Sequence, residues 1–422
     1  MRWKEEIQNS IKTIEQLEKH LPLSQNEKTQ LKMVVEQFPM RITPYYFNLI
    51  NLNDPFDPIK NIVVPNIEEL SDEGFFDTSG ETLSTKARGL QHKYSTTALL
   101  LLDNVCAGYC RFCFRKRLMN GKIPSREILS DFDSTYEYIA SHKEIDNVLI
   151  SGGDPFMLSN EKIEYILRSL RELDHINIIR IGTKMLAFSP FRFSEDQELI
   201  YILFKYNLPK KRIYIISHFS HPKELTSEAI KAIKALNNCG IIICNQTVLL
   251  RGVNNDPLII RELFNKLAFC GVEPYYLFQC RPVKGTHHFG IPLNEGYAIY
   301  EEAKRGMSGL VKRVRYVMSH FLGKIEILNI ENKKEFMRGY FKFHQTRYPY
   351  HYGKFFKIDL PYDTFWLKEE MLEKYLSQNK KSYEKNVNNK FHRNLRLLKY
   401  PYPPHPYNQI KKKHLKFQKK DI

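Results

Sequence analysis

Short runs of β-forming residues alternate with helical segments from residue 97 to about residue 280, and this alternation limits the fold more than any other feature. Repeated β-then-α units indicate a parallel sheet with right-handed crossovers. Six units fall short of the eight in a closed barrel, so the sequence predicts an α/β fold with a partial (β/α)6 barrel. The predicted strands are Leu99–Leu102, Val148–Ser151, Ile178–Gly182, Arg212–Ser217, Ile241–Gln246 and Tyr275–Gln279.

Polar or reactive residues follow nearly all of these predicted strands. The first strand leads to a group of cysteines, the second to Ser151–Asp154, the fourth to His218, the fifth to Gln246 and the sixth to Arg281. In α/β barrels the active site is assembled at the C-terminal ends of the strands. Five such positions in register therefore predict one site.

The three cysteines after the first strand have the spacing C-x3-C-x2-C, at Cys106, Cys110 and Cys113. Three thiolates on a tight loop can bind three irons of a 4Fe–4S cluster and leave the fourth iron open, which could chelate S-adenosylmethionine. A structural zinc site would need four ligands, usually from paired C-x2-C units, and a chance group of buried cysteines is the remaining alternative. This spacing after a strand predicts a radical S-adenosylmethionine (radical SAM) enzyme.

Further residues are candidates for binding S-adenosylmethionine. Glycines after the second strand allow the backbone to approach a ligand closely, and the aspartate beside them could accept a hydrogen bond from a ligand ammonium. A single polar residue at a strand end is more often structural than ligand-binding, so the prediction depends on the whole set. The candidates are Ser151, Gly152, Gly153, Asp154, His218 and Gln246.

The segments outside the barrel are mostly helical or irregular. Trp3–His20 and Ser24–Gln37 have helix-like apolar spacing, and Ser24 is a candidate N-cap with Glu27 three residues later. The stretch Asn51–Glu69 contains too many Pro and Asp residues for a regular element. The sequence predicts a helical and irregular region at 1–96, the barrel at 97–330, a C-terminal region at 331–379 with a helix at Trp366–Leu376, and a tail at 380–422.

The net charge of +17 belongs mainly to the tail, because thirteen Lys or Arg and only two Asp or Glu follow Asn379. We expect a disordered tail and no nucleic-acid partner, although binding of a macromolecule by the tail stays an alternative. The N-terminus has no signal region and no apolar run is long enough to cross a bilayer, so a cytoplasmic protein is expected.

Further sequence motifs accompany the cysteine motif and occur in order along roughly residues 3–352. They are Ile42–Tyr46, Asp54–Pro58, Cys110–Arg117, Leu149–Asp154, the His218 segment and Asn245–Asn254. With these motifs the sequence resembles the lysine 2,3-aminomutase family of radical SAM enzymes. The resemblance implies an isomerase that moves an amino group from C2 to C3 of an amino acid by way of a 5′-deoxyadenosyl radical, with pyridoxal 5′-phosphate as second cofactor.

The same resemblance implies roles for three further residues. Lys324 matches the lysine that forms the Schiff base with pyridoxal phosphate, Arg115 matches the arginine that binds the substrate carboxylate, and Tyr94 matches one side of the pyridoxal pocket. Two departures concern this cofactor. The run of glycines before the lysine is reduced to Gly323, and an arginine of the pocket falls at Thr97. A radical SAM enzyme without pyridoxal phosphate therefore stays open as an alternative.

Two other departures concern the substrate. The aspartates that hold the distal ammonium of lysine in the family are replaced by Arg281 and Ser319. A cation beside the ammonium of lysine is repulsive, so an acidic or neutral polar amino acid is the expected substrate, with a protein lysine as an alternative. No cysteine follows Cys280, so the family's C-terminal zinc site is missing and a homodimer is expected. Flavodoxin or ferredoxin is the expected electron donor.

Overall fold

The computed structural model describes residues 1–119, 127–129, 132–372 and 375–377. Within these residues one sheet contains twelve strands that lie side by side in chain order. The strands are β1 Thr85–Ala87, β2 Leu90–Tyr94, β3 Thr97–Leu101, β4 Asn147–Ser151, β5 Ile178–Thr183, β6 Arg212–Ser217, β7 Ile242–Leu249, β8 Val272–Gln279, β9 Arg315–His320, β10 Gly323–Asn332, β11 Met337–Thr346 and β12 Phe355–Leu360. The two end strands do not pair with each other, so the sheet is not closed into a barrel.

Strands β3 to β9 are parallel, and antiparallel strands extend the sheet at both edges. All six predicted strands are confirmed, and the six β/α units match the predicted partial barrel. The prediction missed the seventh parallel strand, β9, because only three apolar residues separate Arg315 from Ser319. This strand lies beside β10, which begins with Gly323 and Lys324.

Apart from the helical residues 369–372 and 375–377, the described parts of the chain contain fifteen α-helices, and most of the long ones cross over between parallel strands. They are α1 Arg2–Gln8, α2 Ile14–Glu18, α3 Gln25–Gln37, α4 Pro44–Phe47, α5 Pro58–Val63, α6 Glu81–Ser84, α7 Lys116–Met119, α8 Phe132–Ser141, α9 Asn160–Glu172, α10 Met185–Phe188, α11 Phe191–Ser194, α12 Gln197–Tyr206, α13 Ser227–Asn238, α14 Pro257–Phe269 and α15 Leu293–Arg305.

The N-terminal region confirms one helix prediction and corrects two others. Ser24 caps α3 by accepting from the backbone N–H of Glu27, whose carboxylate accepts from the Ser24 N–H in return. The helix predicted over Trp3–His20 is instead split into α1 and α2, because Ile11 forms a β-bridge with Ile42 between them. The stretch expected to be irregular contains α5 and a 3-10 helix, Ile67–Leu70.

Alternation along the strands separates a packed outer face from a concave inner face. On β5, Ile179 and Ile181 are buried, whereas Arg180 and Gly182 are half-buried on the opposite face. The outer face belongs to a core that includes Ile163 and other apolar residues of the crossover helices. Each fully buried aliphatic side chain of this kind stabilises the fold by about 1.5–3 kcal/mol. The inner face is left for polar side chains.

The C-terminal predictions are only partly covered by the structure. Residues 369–372 and 375–377 are helical, so the helix predicted from Trp366 begins later than expected. The predicted tail at 380–422 lies outside the described residues, and the division into four regions stays a prediction. In the described part of the chain, no helix has both the length and the apolar content that crossing a membrane would need.

Candidate active site

A cavity of about 330 Å³ lies at the C-terminal ends of the parallel strands. Tyr94 is outside its lining, but the centroid of the Tyr94 ring is 5.1 Å from Nζ of Lys324. All the other predicted site residues line the cavity. They are Cys106, Cys110, Cys113, Arg115, Ser151, Gly152, Gly153, Asp154, His218, Gln246, Arg281, Ser319 and Lys324. The structure therefore brings the predicted residues together, while their individual roles stay predictions.

The cysteine loop between β3 and α7 is held from behind by the N-terminal region. Nη1 of Arg41 donates to the carbonyl of Cys106 at 2.8 Å, and the backbone N–H of Arg111 donates to the carbonyl of Ile62 at 2.8 Å. Within the loop, the N–H of Cys113 donates to the carbonyl of Cys110 at 3.1 Å. These contacts bend the loop so that all three thiols reach the cavity.

A buried ion cluster that the sequence did not reveal supports the same loop. Nε and Nη2 of Arg111 donate to the two carboxylate oxygens of Glu69 at 2.8 and 2.7 Å, and Nζ of Lys116 donates to Glu69 at 2.7 Å. Arg111 is 2% exposed and Glu69 is fully buried. Arg111 lies inside the cysteine motif, but nothing in the sequence marks Glu69 as its partner, 42 residues earlier.

The three thiols fit an iron–sulfur cluster better than a single ion. Burial raises the pKa of all three thiols, to about 12 for Cys110, and all three cysteines line the same cavity. Among the described side chains, however, no three His, Cys, Asp or Glu residues are placed to hold one metal ion. The ligands of a zinc ion all lie about 2.0–2.3 Å from it. Cluster thiolates bind separate irons and are spaced more widely.

Gly152 and Gly153 allow the loop after β4 to pack against the cysteine loop. A Cβ on Gly153 would lie 2.2 Å from the carbonyl oxygen of Val105, and one on Gly152 would lie 2.6 Å from that of Asp103. The N–H of Gly153 donates to the Asp103 carbonyl at 2.8 Å. These glycines therefore set the spacing between two loops of the site. The prediction that they also let the backbone approach a ligand closely stays a prediction.

Asp154 joins the loops that follow β4 and β5. Its buried carboxylate accepts from Oγ1 of Thr183 at 2.8 Å and from the backbone N–H groups of Lys184 at 2.9 Å and Met185 at 3.1 Å. It also accepts from the N–H of Phe156 at 3.1 Å. This set of donors gives Asp154 a structural role that the sequence did not suggest, and the predicted contact with a ligand ammonium stays a prediction.

His218 offers an unused hydrogen-bonding atom in the cavity. Its Nε2 is buried and has no hydrogen-bond partner within the residues described, although buried polar atoms are almost always satisfied. Beside it, Nζ of Lys184 donates to the His218 carbonyl at 2.9 Å and to Glu224 at 2.6 Å. The free ring nitrogen fits a site that binds a polar ligand such as S-adenosylmethionine. The Lys184–Glu224 pair, which the sequence did not indicate, fixes the His218 backbone.

Lys324 has the surroundings of a reactive amine. It is half-buried on β10, and its Nζ donates to Oε1 of Gln345 at 2.8 Å. Tyr94 and Tyr276 present their rings with centroids 5.1 and 5.7 Å from Nζ. Burial, followed by the charges of Arg180 and Arg281, lowers the pKa of Lys324 from 10.5 to about 7. The amine is thus readily neutral, as attack on an aldehyde requires, and the two aromatic rings fit the flat ring of pyridoxal.

Two arginines flank Phe114 on the cysteine side of Lys324. The guanidinium carbons of Arg281 and Arg115 lie 4.3 and 4.7 Å from the centroid of the Phe114 ring. Arg115 donates to Glu81 at 2.9 Å and to Oγ of Ser151 at 2.8 Å, and Arg281 donates to Ser79. In the described ranges Arg281 forms no ion pair with a carboxylate, and burial lowers its pKa to about 10. A buried guanidinium of this kind suits an anionic ligand.

The low pKa of Lys324 predicts the pH dependence of its chemical labelling. Only the neutral amine attacks trinitrobenzenesulfonate, so the labelling rate should rise about tenfold from pH 6 to 8 and level off above about pH 8. Peptide mass spectrometry would measure the rate, with exposed Lys231 as internal reference. A rate at Lys324 that keeps rising tenfold per pH unit to about pH 9 would show an ordinary solvated ammonium and contradict the expectation.

Comparison with known proteins agrees with this site. Residues 101–263 match the Radical SAM superfamily. A protein of Aquifex aeolicus provisionally assigned as an L-lysine 2,3-aminomutase is 42% identical over 84% of this chain and 94% of its own. The L-lysine 2,3-aminomutase of Clostridium subterminale is 36% identical over 73% of each chain. The glutamate 2,3-aminomutase of Clostridioides difficile is 36% identical over 73% of this chain and 72% of its own.

The open α/β sheet and the cysteine site therefore define a radical SAM enzyme. Within that class, the identities over most of the chain show that the protein belongs to the lysine 2,3-aminomutase family. Membership implies a 4Fe–4S cluster, S-adenosylmethionine and pyridoxal 5′-phosphate. The residues described above fit all three: Cys106, Cys110 and Cys113 would hold the cluster, His218 faces the adjoining space, and Lys324 would hold the pyridoxal.

Proposed function

We propose that the protein is a 2,3-aminomutase for an acidic or neutral polar amino acid. When bound, the cluster and S-adenosylmethionine supply a radical, and pyridoxal phosphate carries the migrating amino group. The observation that carries the proposal is that three thiols, Lys324, Arg115 and Arg281 line one and the same cavity. A single substrate molecule can therefore be held within reach of both cofactor sites.

The chain's own residues bind and orient the substrate. Glu81 and Ser151 fix Arg115 through Nε and Nη1, and within the described residues Nη2 has no hydrogen bond, so it can bind the α-carboxylate of an amino acid. Its bond with Ser151, a candidate contact of S-adenosylmethionine, couples the position of the substrate to that of the cosubstrate. Lys324 supplies the neutral amine, and the enclosed cavity excludes water from reactive species.

Arg281 and Ser319 supply the argument for the substrate class. Arg281 lines the cavity without a carboxylate partner, and Ser319 lies opposite Lys324 across the β9–β10 pair. Two cations about 4 Å apart repel by about 4 kcal/mol at an effective dielectric constant of 20, so the ammonium of lysine is disfavoured beside Arg281. A side-chain carboxylate would instead be attracted. The relationship to a glutamate 2,3-aminomutase is compatible with this choice.

The test is anaerobic reconstitution with iron, sulfide and pyridoxal phosphate, followed by a screen of amino acids with S-adenosylmethionine for β-amino products. We expect glutamate or a neutral polar amino acid to exceed lysine in kcat/KM by about 100-fold, in line with a 2–3 kcal/mol difference. Arg281→Gln should lower kcat/KM for an acidic substrate about 10- to 100-fold, because a charge-assisted hydrogen bond is lost.

Arg251→Gln provides the matched control, since it removes an exposed arginine that pairs with Glu295 and does not line the cavity, and it should leave kcat/KM unchanged. Equal turnover of lysine and glutamate by the parent protein would contradict the proposed substrate class. Formation of 5′-deoxyadenosine by a protein that binds no pyridoxal phosphate would instead favour a radical SAM enzyme with a different reaction.

A further inference from the structure

Arg180 is a half-buried arginine on the inner face of β5 whose charge has no assigned use. Its Nε donates to Oδ1 of Asn147 at 2.9 Å. No ion pair between Arg180 and a carboxylate occurs in the part of the chain that the structure describes. Burial lowers the pKa of Arg180, and Asp146 acts on it only as a weaker, opposing charge. An enclosed guanidinium without a bonded anion is costly, so an anionic ligand is expected.

Arg180 lies deeper in the sheet than the substrate residues. Arg180 comes two residues before Gly182, which lines the cavity. Since two residues of a strand span about 6.6 Å, Arg180 lies about that far from Gly182 toward the N-terminal end of β5. Arg281, in contrast, follows the C-terminal end of β8. The charges of both arginines act on Lys324, and that of Arg180 acts more strongly. The ring centroid of Tyr94 lies 5.1 Å from Nζ of Lys324, and Tyr94 is in register with Thr97 on β3, so this end of the sheet borders Lys324.

The strand register and one hydrogen bond place Arg180 near Thr97. Thr97 on β3 is in register with Asn147 on β4, and Asn147 holds the guanidinium of Arg180 from β5. The Arg180 side chain therefore extends from β5 toward β4, the strand that pairs with β3.

Two other cations, Lys93 and Arg347, donate to backbone carbonyls and a serine hydroxyl. Nζ of Lys93 donates to the carbonyls of Ser79 and His320 at 3.2 and 3.0 Å. Arg347 donates to the carbonyl of Gly80 at 3.1 Å and to Oγ of Ser84 at 2.8 Å. These contacts tie loops together, whereas among the described residues Arg180 hydrogen-bonds through Nε, to Asn147, and both Nη groups are left for a ligand.

We propose that Arg180, oriented by Asn147, binds the phosphate of pyridoxal phosphate held at Lys324. The aldehyde and the phosphate-bearing arm occupy neighbouring ring positions of pyridoxal, so the phosphate must lie within about a ring's width of Nζ. Two Nη groups in a fixed plane match two phosphate oxygens. The inference depends on the proposed function in one respect, the presence of pyridoxal phosphate at Lys324.

The test is a spectrophotometric titration of the cluster-loaded protein with pyridoxal phosphate and, separately, with pyridoxal, which lacks the phosphate. We expect Arg180→Gln to weaken binding of pyridoxal phosphate about 30- to 100-fold and to change binding of pyridoxal less than about threefold. Arg180→Lys should bind pyridoxal phosphate more weakly than the parent protein and more tightly than Arg180→Gln, because lysine keeps the charge but lacks the two Nη groups of the guanidinium. Arg251→Gln, which removes an exposed arginine paired with Glu295, is the matched control and should change neither affinity.

Asn147→Ala provides a second variant in case loss of Arg180 prevents folding. It should weaken pyridoxal phosphate binding about three- to tenfold and leave pyridoxal unchanged, because it only frees the guanidinium to move. Unchanged pyridoxal phosphate affinity in the Arg180 and Asn147 variants, or an equal loss for both ligands, would overturn the inference. A selective loss in Lys93→Met instead would assign the phosphate to Lys93. If the parent protein binds neither ligand, the proposed function fails first.

Discussion

Replacing Cys110 with serine is expected to abolish the iron–sulfur cluster and, with it, formation of 5′-deoxyadenosine. Cys110 is the middle thiol of a loop that presents three sulfurs to one cavity, and three thiolates are the minimum that leaves one iron open. With two thiols left, iron should fall from about four atoms per chain to fewer than about one. Anaerobic reconstitution with iron and sulfide analysis, visible absorbance and chromatography of the nucleoside product would measure these effects.

Cys270→Ser is the matched control for this result. Cys270 is a half-buried free cysteine at the C-cap of α14 and does not line the cavity, so the variant should keep its cluster and its activity. Retention of four irons by the Cys110 variant would remove this residue from the cluster. A single zinc held by the three thiols of the parent protein would contradict the radical mechanism as a whole.

Replacing Glu69 with alanine is expected to cause a large loss of stability. Glu69 is fully buried and accepts hydrogen bonds from both Arg111 and Lys116. Breaking a buried ion pair by removing one partner costs about 3–5 kcal/mol, because the remaining charge is left without compensation. Here two cations would be left, so the free energy of unfolding should fall by at least about 3 kcal/mol in urea denaturation.

The same variant tests whether the ion cluster serves the cysteine loop. Since Arg111 lies between Cys110 and Cys113, its release should also lower the amount of iron that the protein retains after gel filtration. Glu302→Ala removes a carboxylate from surface pairs with Arg261 and Arg305 and should change stability by no more than about 0.5 kcal/mol. A loss below about 1 kcal/mol for Glu69→Ala would show that the buried cations find other partners or water.

Local patterns were sufficient to predict the framework of the site. The spacing of Cys106, Cys110 and Cys113, together with the polar residues after each strand, predicted one site at one edge of a parallel sheet, and the structure places these residues around one cavity. These predictions succeed because neighbouring residues on a loop, and alternation along a strand, constrain geometry without reference to distant parts of the chain.

Local patterns could not predict contacts between residues that are far apart in the sequence. Glu69 falls in a stretch expected to be irregular, yet it neutralises Arg111 across 42 residues. The sequence places Arg180 inside a predicted strand and gives no sign of a ligand-binding role. The structure adds its hydrogen bond with Asn147 and the effect of its charge on the pKa of Lys324. Strand β9 was missed because its apolar run is short, although pairing with β8 and β10 defines it clearly.

The sequence alone determined which reactive groups this protein has and predicted their uses: three thiols for a cluster, a lysine for pyridoxal, and an arginine at a position where the resemblance implies an aspartate in the lysine enzyme. Only the tertiary structure decided which charges are neutralised by the protein and which are left for ligands. The physical reason is that the cost of burying a charge depends on its neighbours in space, and those neighbours come from strands and loops that folding alone brings together.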